Sequence, residues 1–286
     1  MNFDGSPSSS ISALLSGACA GLATDVLLFP LDTLKTRMQS RQGFNASGGF
    51  CNIYAGLGPA ALASAPGAAL FFCSYETVKA QLGTSLSPQY QPLVQMVAAG
   101  VGEMTACLIR VPTEIVKQRR QAQQHSSALH IARSTLKLEG PAGLYRGYFT
   151  TLAREIPFSL IQFPLWEGLK VLWATRQGRP IESWQAAVCG AFAGGISAAV
   201  TTPLDVAKTR IMLAAAGTPQ ASGKLPLALK LVVSESGIPG LFAGVVPRTL
   251  WMSIGGFIFL GVYAQASAVL SRISNTPEET QAHAVR

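Results

Sequence analysis

The chain has 286 residues, 49% of them hydrophobic and only 13% charged, about half the charged share of an ordinary soluble domain. Its 28 glycines and 17 prolines are too many for soluble helices but suit helices that cross a bilayer, so a polytopic membrane protein is expected. The net charge of +8 comes without a run of Lys and Arg interleaved with aromatics, and the five cysteines and three histidines show no metal-ligand or redox spacing, which argues against nucleic acid, metal and cofactor alike.

Met1–Ser12 holds Asp4 and no Lys or Arg, so no cleavable targeting segment is expected there. Apolar stretches then predict helices at 9–40, 58–81, 91–122, 150–175, 183–213 and 246–271. Each is long enough to cross about 30 Å of hydrocarbon. Ser126–Glu139 and Leu225–Ser236 read as short surface helices, and short loops near Thr84–Gln89 and Arg176–Pro180 join one helix pair to the next. The first helix of every pair carries one signature: Pro30-Leu31-Asp32-Thr33-Leu34-Lys35, Pro112-Thr113-Glu114-Ile115-Val116-Lys117 and Pro203-Leu204-Asp205-Val206-Ala207-Lys208. The prolines predict a kink in each of these helices. Their spacing divides the chain into three tandem units, 1–90, 91–181 and 182–286, within one structural domain. The long loops carry nine Lys and Arg against four in the short loops and termini. The long loops are therefore expected on the interior side and both termini on the other. Past residue 272 the tail reads as disordered.

An acid and a lysine three residues apart lie on one helix face. Each charge costs about 2.5–3.5 kcal/mol inside a bilayer, so such groups pair or face water. The three copies predict a ring of ion pairs among Asp32, Lys35, Glu114, Lys117, Asp205 and Lys208, closing one end of a central cavity and opening when the pairs break. Gln39 and Gln121 follow Lys35 and Lys117 by four residues and could brace the ring; the third copy has Met212 there and lacks the brace.

On these residues the sequence resembles the mitochondrial carrier family, whose signature is Pro-x-acid-x-x-basic-x-basic followed by acid-Gly-x4-aromatic-basic-Gly. The second half reads Glu139-Gly140…Tyr145-Arg146-Gly147 in the middle unit; Gly48-Gly49…Tyr54-Ala55-Gly56 and Ser236-Gly237…Phe242-Ala243-Gly244 are degenerate copies. The resemblance covers almost the whole chain. It implies an all-α membrane protein of six transmembrane helices in three pseudo-threefold repeats with short matrix-side helices. It further implies a monomer in the inner mitochondrial membrane, both termini facing the intermembrane space, with cardiolipin among its lipids. A second, cytoplasmic network is implied by aromatic-acid-x-x-basic on the even helices: Tyr75-Glu76…Lys79 and Trp166-Glu167…Lys170, whereas the third copy has Tyr263-Ala264…Ser267. That outer gate is expected to be the weaker one. Gly17-x-x-x-Gly21 and Gly190-x-x-x-Gly194 read as close-packing faces. The middle unit has Ala99 and Glu103 at those positions, and an acid there points to function.

Departures from three-fold symmetry mark an asymmetric ligand. Thirteen residues before Glu76, Glu167 and Ala264 stand Ala63-Ser64, Arg154-Glu155 and Trp251-Met252, at about the depth where the family places its substrate contacts. Arg154 and Glu155 suit the carboxylate and ammonium of an α-amino acid. The alternative is their mutual neutralisation, disfavoured because adjacent helical residues do not face each other. Trp251 offers a plane for a flat ring; the alternative is a lipid-facing Trp. Asp25, Glu103 and Arg110 are also unmatched in the other units, and three acids against two bases favour a cationic ligand. The residues alone reach a cationic amino-acid-like molecule with a ring, a description that S-adenosylmethionine fits. The stretches 109–119 and 154–167, the latter including Gln162, resemble members of the family that carry that molecule. This implies exchange of cytosolic S-adenosylmethionine for matrix S-adenosylhomocysteine, with a carrier of basic amino acids as the alternative. A methyltransferase would need a Gly-rich strand–loop–helix site, which is not visible, so no enzyme is expected.

Overall fold

The computed structural model describes residues 7–85, 90–122, 126–215 and 217–259, with 262, 265 and 266 beyond them. Among these, helices follow one another without a strand: α1 Pro7–Gln39, the single turn α2 Gly43–Ala46, α3 Leu57–Ser85, α4 Gln91–Ala122, α5 Ala128–Leu144, α6 Tyr148–Gln177, α7 Ser183–Val200, α8 Thr202–Leu213, α9 Leu225–Leu241 and α10 Val245–Phe259. Leu62, Met96 and Leu160 stand well exposed on α3, α4 and α6. Apolar side chains pointing outward from helices of this length find their solvent in lipid.

Among the described residues, α3 and α4 are apolar enough to span a membrane on composition alone, and α7 with α8 and α9 with α10 reach that standard as joined pairs. α1 and α6 carry Asp25, Asp32, Lys35 and Arg37, and Arg154, Glu155, Glu167 and Lys170, respectively. Such charges in a spanning helix belong on a face turned to protein or water.

The prolines act differently from one unit to the next. α1 and α4 run on through Pro30 and Pro112, whereas the expected 183–213 helix is interrupted at Thr201. Pro203 then sits in the first turn of α8, where a missing N–H costs least. The hydroxyls of Thr201 and Thr202 donate to the carbonyls of Ser197 and Ala198 at 2.7 Å each, a backward bond that bends helices.

The chain divides into two compact units. One comprises Met1–Leu28, Gln162–Ile196 and Thr249–Arg286. In it the small residues of α7 let α10 come close: a Cβ on Gly195 would sit 2.6 Å from Ser253 Oγ, and one on Gly194 3.9 Å from both Gln162 Nε2 and the Met252 carbonyl. Ser253 Oγ donates to the Ala191 carbonyl at 3.1 Å. A Cβ on Gly21 would meet nothing within 4 Å among the described residues, so the close approach expected there is not seen among them.

The other unit comprises Phe29–Ile161 and Ser197–Arg248. α3 packs on α4 where Gly102 faces Phe71, a Cβ there coming within 3.1 Å of the ring. The small residue at this contact is thus one position before Glu103, whose side chain points elsewhere. Cys107, Val111, Ile115 and Met212 form a fully buried apolar cluster under Tyr148 and Leu152. Gly140 in α5 and Gly237 in α9 adopt the same left-handed backbone, φ 67° and 68°, a conformation that costs a residue with a Cβ about 1 kcal/mol or more. The acid-Gly position therefore makes the same bend in two repeats even though Ser236 has replaced the acid.

Candidate functional site

The signature acids and lysines of α1, α4 and α8 close into a cycle. Lys35 Nζ lies 2.7 Å from Asp205, Lys117 Nζ 2.8 Å from Asp32, and Lys208 Nζ 2.7 Å from Glu114. Each acid of one repeat holds the lysine of another, which repetition at a fixed offset makes possible. Gln39 donates to Asp205 at 3.0 Å and Gln121 to Asp32 at 2.9 Å. At the third position Met212 is buried in the apolar cluster. Gln118, one turn beyond Glu114 on its own helix, donates to Glu114 at 3.0 Å instead. This bond occupies the acid from within its own helix and does not tie two repeats together, and four-residue spacing from the acid could have revealed it.

A second cycle lies behind the first. Arg37, Arg119 and Arg210 each stand two residues after a signature lysine. Their Nε atoms donate to the main-chain carbonyls of Gln121 (3.0 Å), Met212 (3.2 Å) and Gln39 (2.7 Å). These carbonyls belong to the brace positions of neighbouring repeats and lie in the last turns of their helices, where carbonyls otherwise lack partners. The remaining guanidinium donors are satisfied locally: Arg37 by the carbonyls of Gly49 and Cys51, Arg119 by Thr135 and Glu139, Arg210 by Glu235. Glu139 also pairs with Arg146 in the turn before α6. There burial lowers the guanidinium's proton affinity while Glu139 opposes the effect. The repeated offset after each lysine is the signal that marks these three arginines.

The one-off residues are arranged less simply. Arg154 is buried and pairs with Glu155. The expectation that neighbours on a helix keep apart is thereby corrected: both side chains are long enough to fold back toward each other. Arg154 Nε also lies 3.7 Å from Asp205, so the pair touches the ring. Glu103, expected to stand towards a ligand, is likewise paired, with Arg110 two turns along α4. Asp25 is half-buried in α1, Ala63 half-buried and Ser64 exposed on α3. Trp251 and Met252, both half-buried, lie in the other unit, where Gln162 and Met252 flank Gly194.

Towards the C-terminal ends of α3 and α6, Glu76 pairs with Lys79 at 3.7 Å and Glu167 with Lys170 at 2.6 Å, each within one helical turn. The lysines lie over their own aromatics, Lys79 5.6 Å from the centre of Tyr75 and Lys170 3.8 Å from that of Trp166. Tyr263, Ala264 and Ser267 lie outside the described residues. Among the described residues no cluster of three His, Cys, Asp or Glu side chains could hold a metal.

A family model described as "Mitochondrial carrier protein" matches the chain three times, at residues 6–86, 88–177 and 179–274. The chain belongs to the mitochondrial carrier family. As a mitochondrial carrier it is a multi-pass transporter of the inner membrane and not an enzyme. The carrier is 57% identical to a mouse protein named "Mitochondrial S-adenosylmethionine carrier protein" over 91% of this chain and 95% of the relative. A zebrafish protein of the same name is 56% identical over 90% and 97%. A Drosophila melanogaster protein named "S-adenosylmethionine mitochondrial carrier protein homolog" is 50% identical over 92% and 94%.

Proposed function

We propose that this carrier takes S-adenosylmethionine into the mitochondrial matrix in exchange for S-adenosylhomocysteine. The observation that carries the substrate is the 57% identity, along almost its whole length, to a relative named for that molecule. The site chemistry agrees with it. Arg154 suits the substrate carboxylate, Glu155 the ammonium, Asp25 or Glu103 the sulfonium region and Trp251 the adenine, with Ala63, Ser64, Arg110, Gln162 and Met252 completing the contacts. The Arg154–Glu155 pair supports a zwitterion-exchange reading, in which an α-amino acid replaces an internal ion pair by two equivalent ones.

On this reading the repeats 1–90, 91–181 and 182–286 form one domain that works by alternating access. The Asp32, Lys35, Glu114, Lys117, Asp205 and Lys208 ring, braced by Gln39 and Gln121, is its matrix gate, and Glu76, Lys79, Glu167 and Lys170 belong to the cytoplasmic one. The excess of Lys and Arg in the long loops supports termini in the intermembrane space. A monomer with cardiolipin as lipid partner rests on the family resemblance alone.

The test is exchange in proteoliposomes preloaded with S-adenosylmethionine. Labelled S-adenosylmethionine should enter, and Glu155→Gln and Trp251→Ala should each depress entry at least tenfold in protein that still melts cooperatively. Uptake of lysine or arginine without competition by adenosine-bearing analogues would instead establish a basic amino-acid carrier. Normal exchange in both variants would remove the site.

A further inference from the structure

The three ring acids are not equivalent. Asp32 and Glu114 each pair with one lysine, whereas Asp205 meets Lys35 at 2.7 Å, Arg248 at 3.2 Å and Arg154 at 3.7 Å. The two arginines take different oxygens, Arg154 on Oδ1 and Arg248 on Oδ2. With Glu155 added, three cations face two carboxylates in a place where Arg248 is 2% and Asp205 3% exposed. An uncompensated charge so deep calls for a further anion. Both guanidiniums also keep a buried Nε donor for which no acceptor lies within hydrogen-bonding reach among the described residues.

Arg248 is a one-off residue. It stands four positions after Gly244, and the residues four after Gly56 and Gly147 are Ala60 and Thr151. Its other donors hold the Thr201 carbonyl at 3.2 Å and the Thr201 hydroxyl at 2.8 Å, at the break between α7 and α8 that α1 and α4 lack. The residue that fills the break is therefore also one of the two arginines that face Asp205.

We infer that Arg248 and Arg154 together form the carboxylate clamp of the substrate site, and that Asp205 holds their place between transport cycles. The inference rests on S-adenosylmethionine being the substrate. A substrate α-carboxylate supplies the missing anion and accepts from the idle Nε donors. In doing so it draws both arginines from Asp205 and leaves that acid to Lys35 and Gln39 alone. Arrival of the substrate thus loosens one chosen member of the ring, the one in the third repeat, while the Asp32 and Glu114 pairs keep their partners until the helices move. Selectivity for a carboxylate-bearing molecule and release of the ring become one event.

Proteoliposomes with the full chain measure the preference for S-adenosylmethionine over the same molecule with its α-carboxylate replaced by hydrogen, as the ratio of half-saturating concentrations. The clamp predicts that Arg248→Gln shrinks this preference by about tenfold or more. Arg248→Lys, which keeps the charge without the fork, should fall between the two and serves if the glutamine variant does not fold. A residue that only props the break at Thr201 would slow both molecules alike and leave the ratio where it was. That result, in either folded variant, overturns the clamp. No exchange of S-adenosylmethionine by the unaltered protein would overturn the proposed substrate and the clamp with it.

Discussion

The charges of the ring and those towards the C-terminal ends of α3 and α6 have the same chemistry and the same spacing, yet they are used in opposite ways. Lys35, Lys117 and Lys208 each reach an acid in another repeat. Among the described residues, Lys79 and Lys170 pair back along their own helix with Glu76 and Glu167. A pair within one helical turn holds nothing shut, and when solvated contributes about 0.3–0.5 kcal/mol. A pair between repeats must be broken before the helices can part, and losing one partner of a buried pair costs about 3–5 kcal/mol. The same side chains make a latch or a loose end according to where the partner sits.

The comparison can be broken most sharply at Asp205. Asp205→Asn strands three cations at once, and should lower thermal stability in detergent by the most of any ring substitution, clearly more than Asp32→Asn, as read from melting curves. Equal losses at the two positions would mean that the extra arginines contribute nothing. The braces come next. Gln39→Ala and Gln121→Ala should each cost about 1 kcal/mol. Met212→Gln, which restores the pattern by sequence, should destabilise instead, because it buries an amide among Cys107, Val111 and Ile115. The smallest effect belongs to the loose ends. Glu76→Gln should change the unfolding free energy by no more than about 0.5 kcal/mol, although it should change exchange rate if the pair re-forms between repeats during transport.

Much of this was legible beforehand, for identifiable reasons. A motif repeated three times at constant offset points to acids of one repeat meeting lysines of another, though not to which sense the pairs run round the ring, and a further step of one helical turn points to Gln39 and Gln121. The same step of four, counted from Glu114, would have found Gln118. The motif did not say where a helix breaks. Pro30, Pro112 and Pro203 look alike in the sequence, and the difference at Thr201 comes with two backward-bonding threonines and an arginine some fifty residues away. The Arg154–Glu155 pairing was weighed and disfavoured, and Glu103–Arg110 was missed, because backbone spacing ignores how far long side chains bend. Arg248 carried a readable signal in its mismatch with Ala60 and Thr151, but only after the even helices were aligned from their glycines.

The three arginines behind the ring have one more consequence. The bond that Arg37, Arg119 and Arg210 each make across to another repeat ends on a main-chain oxygen atom, while the acids Glu139 and Glu235 hold Arg119 and Arg210 from within their own repeats, so the link between repeats contains no titrating acceptor. Each of α1, α4 and α8 is tethered by its last turn to another of the three, like three people holding wrists in a circle. Tugging one pulls the others, so the gate should swing as a unit rather than leaf by leaf. Arg119→Lys should accordingly speed amide exchange near Met212 as well as around residue 119, and acceleration confined to residue 119 would show the helices to be mechanically separate.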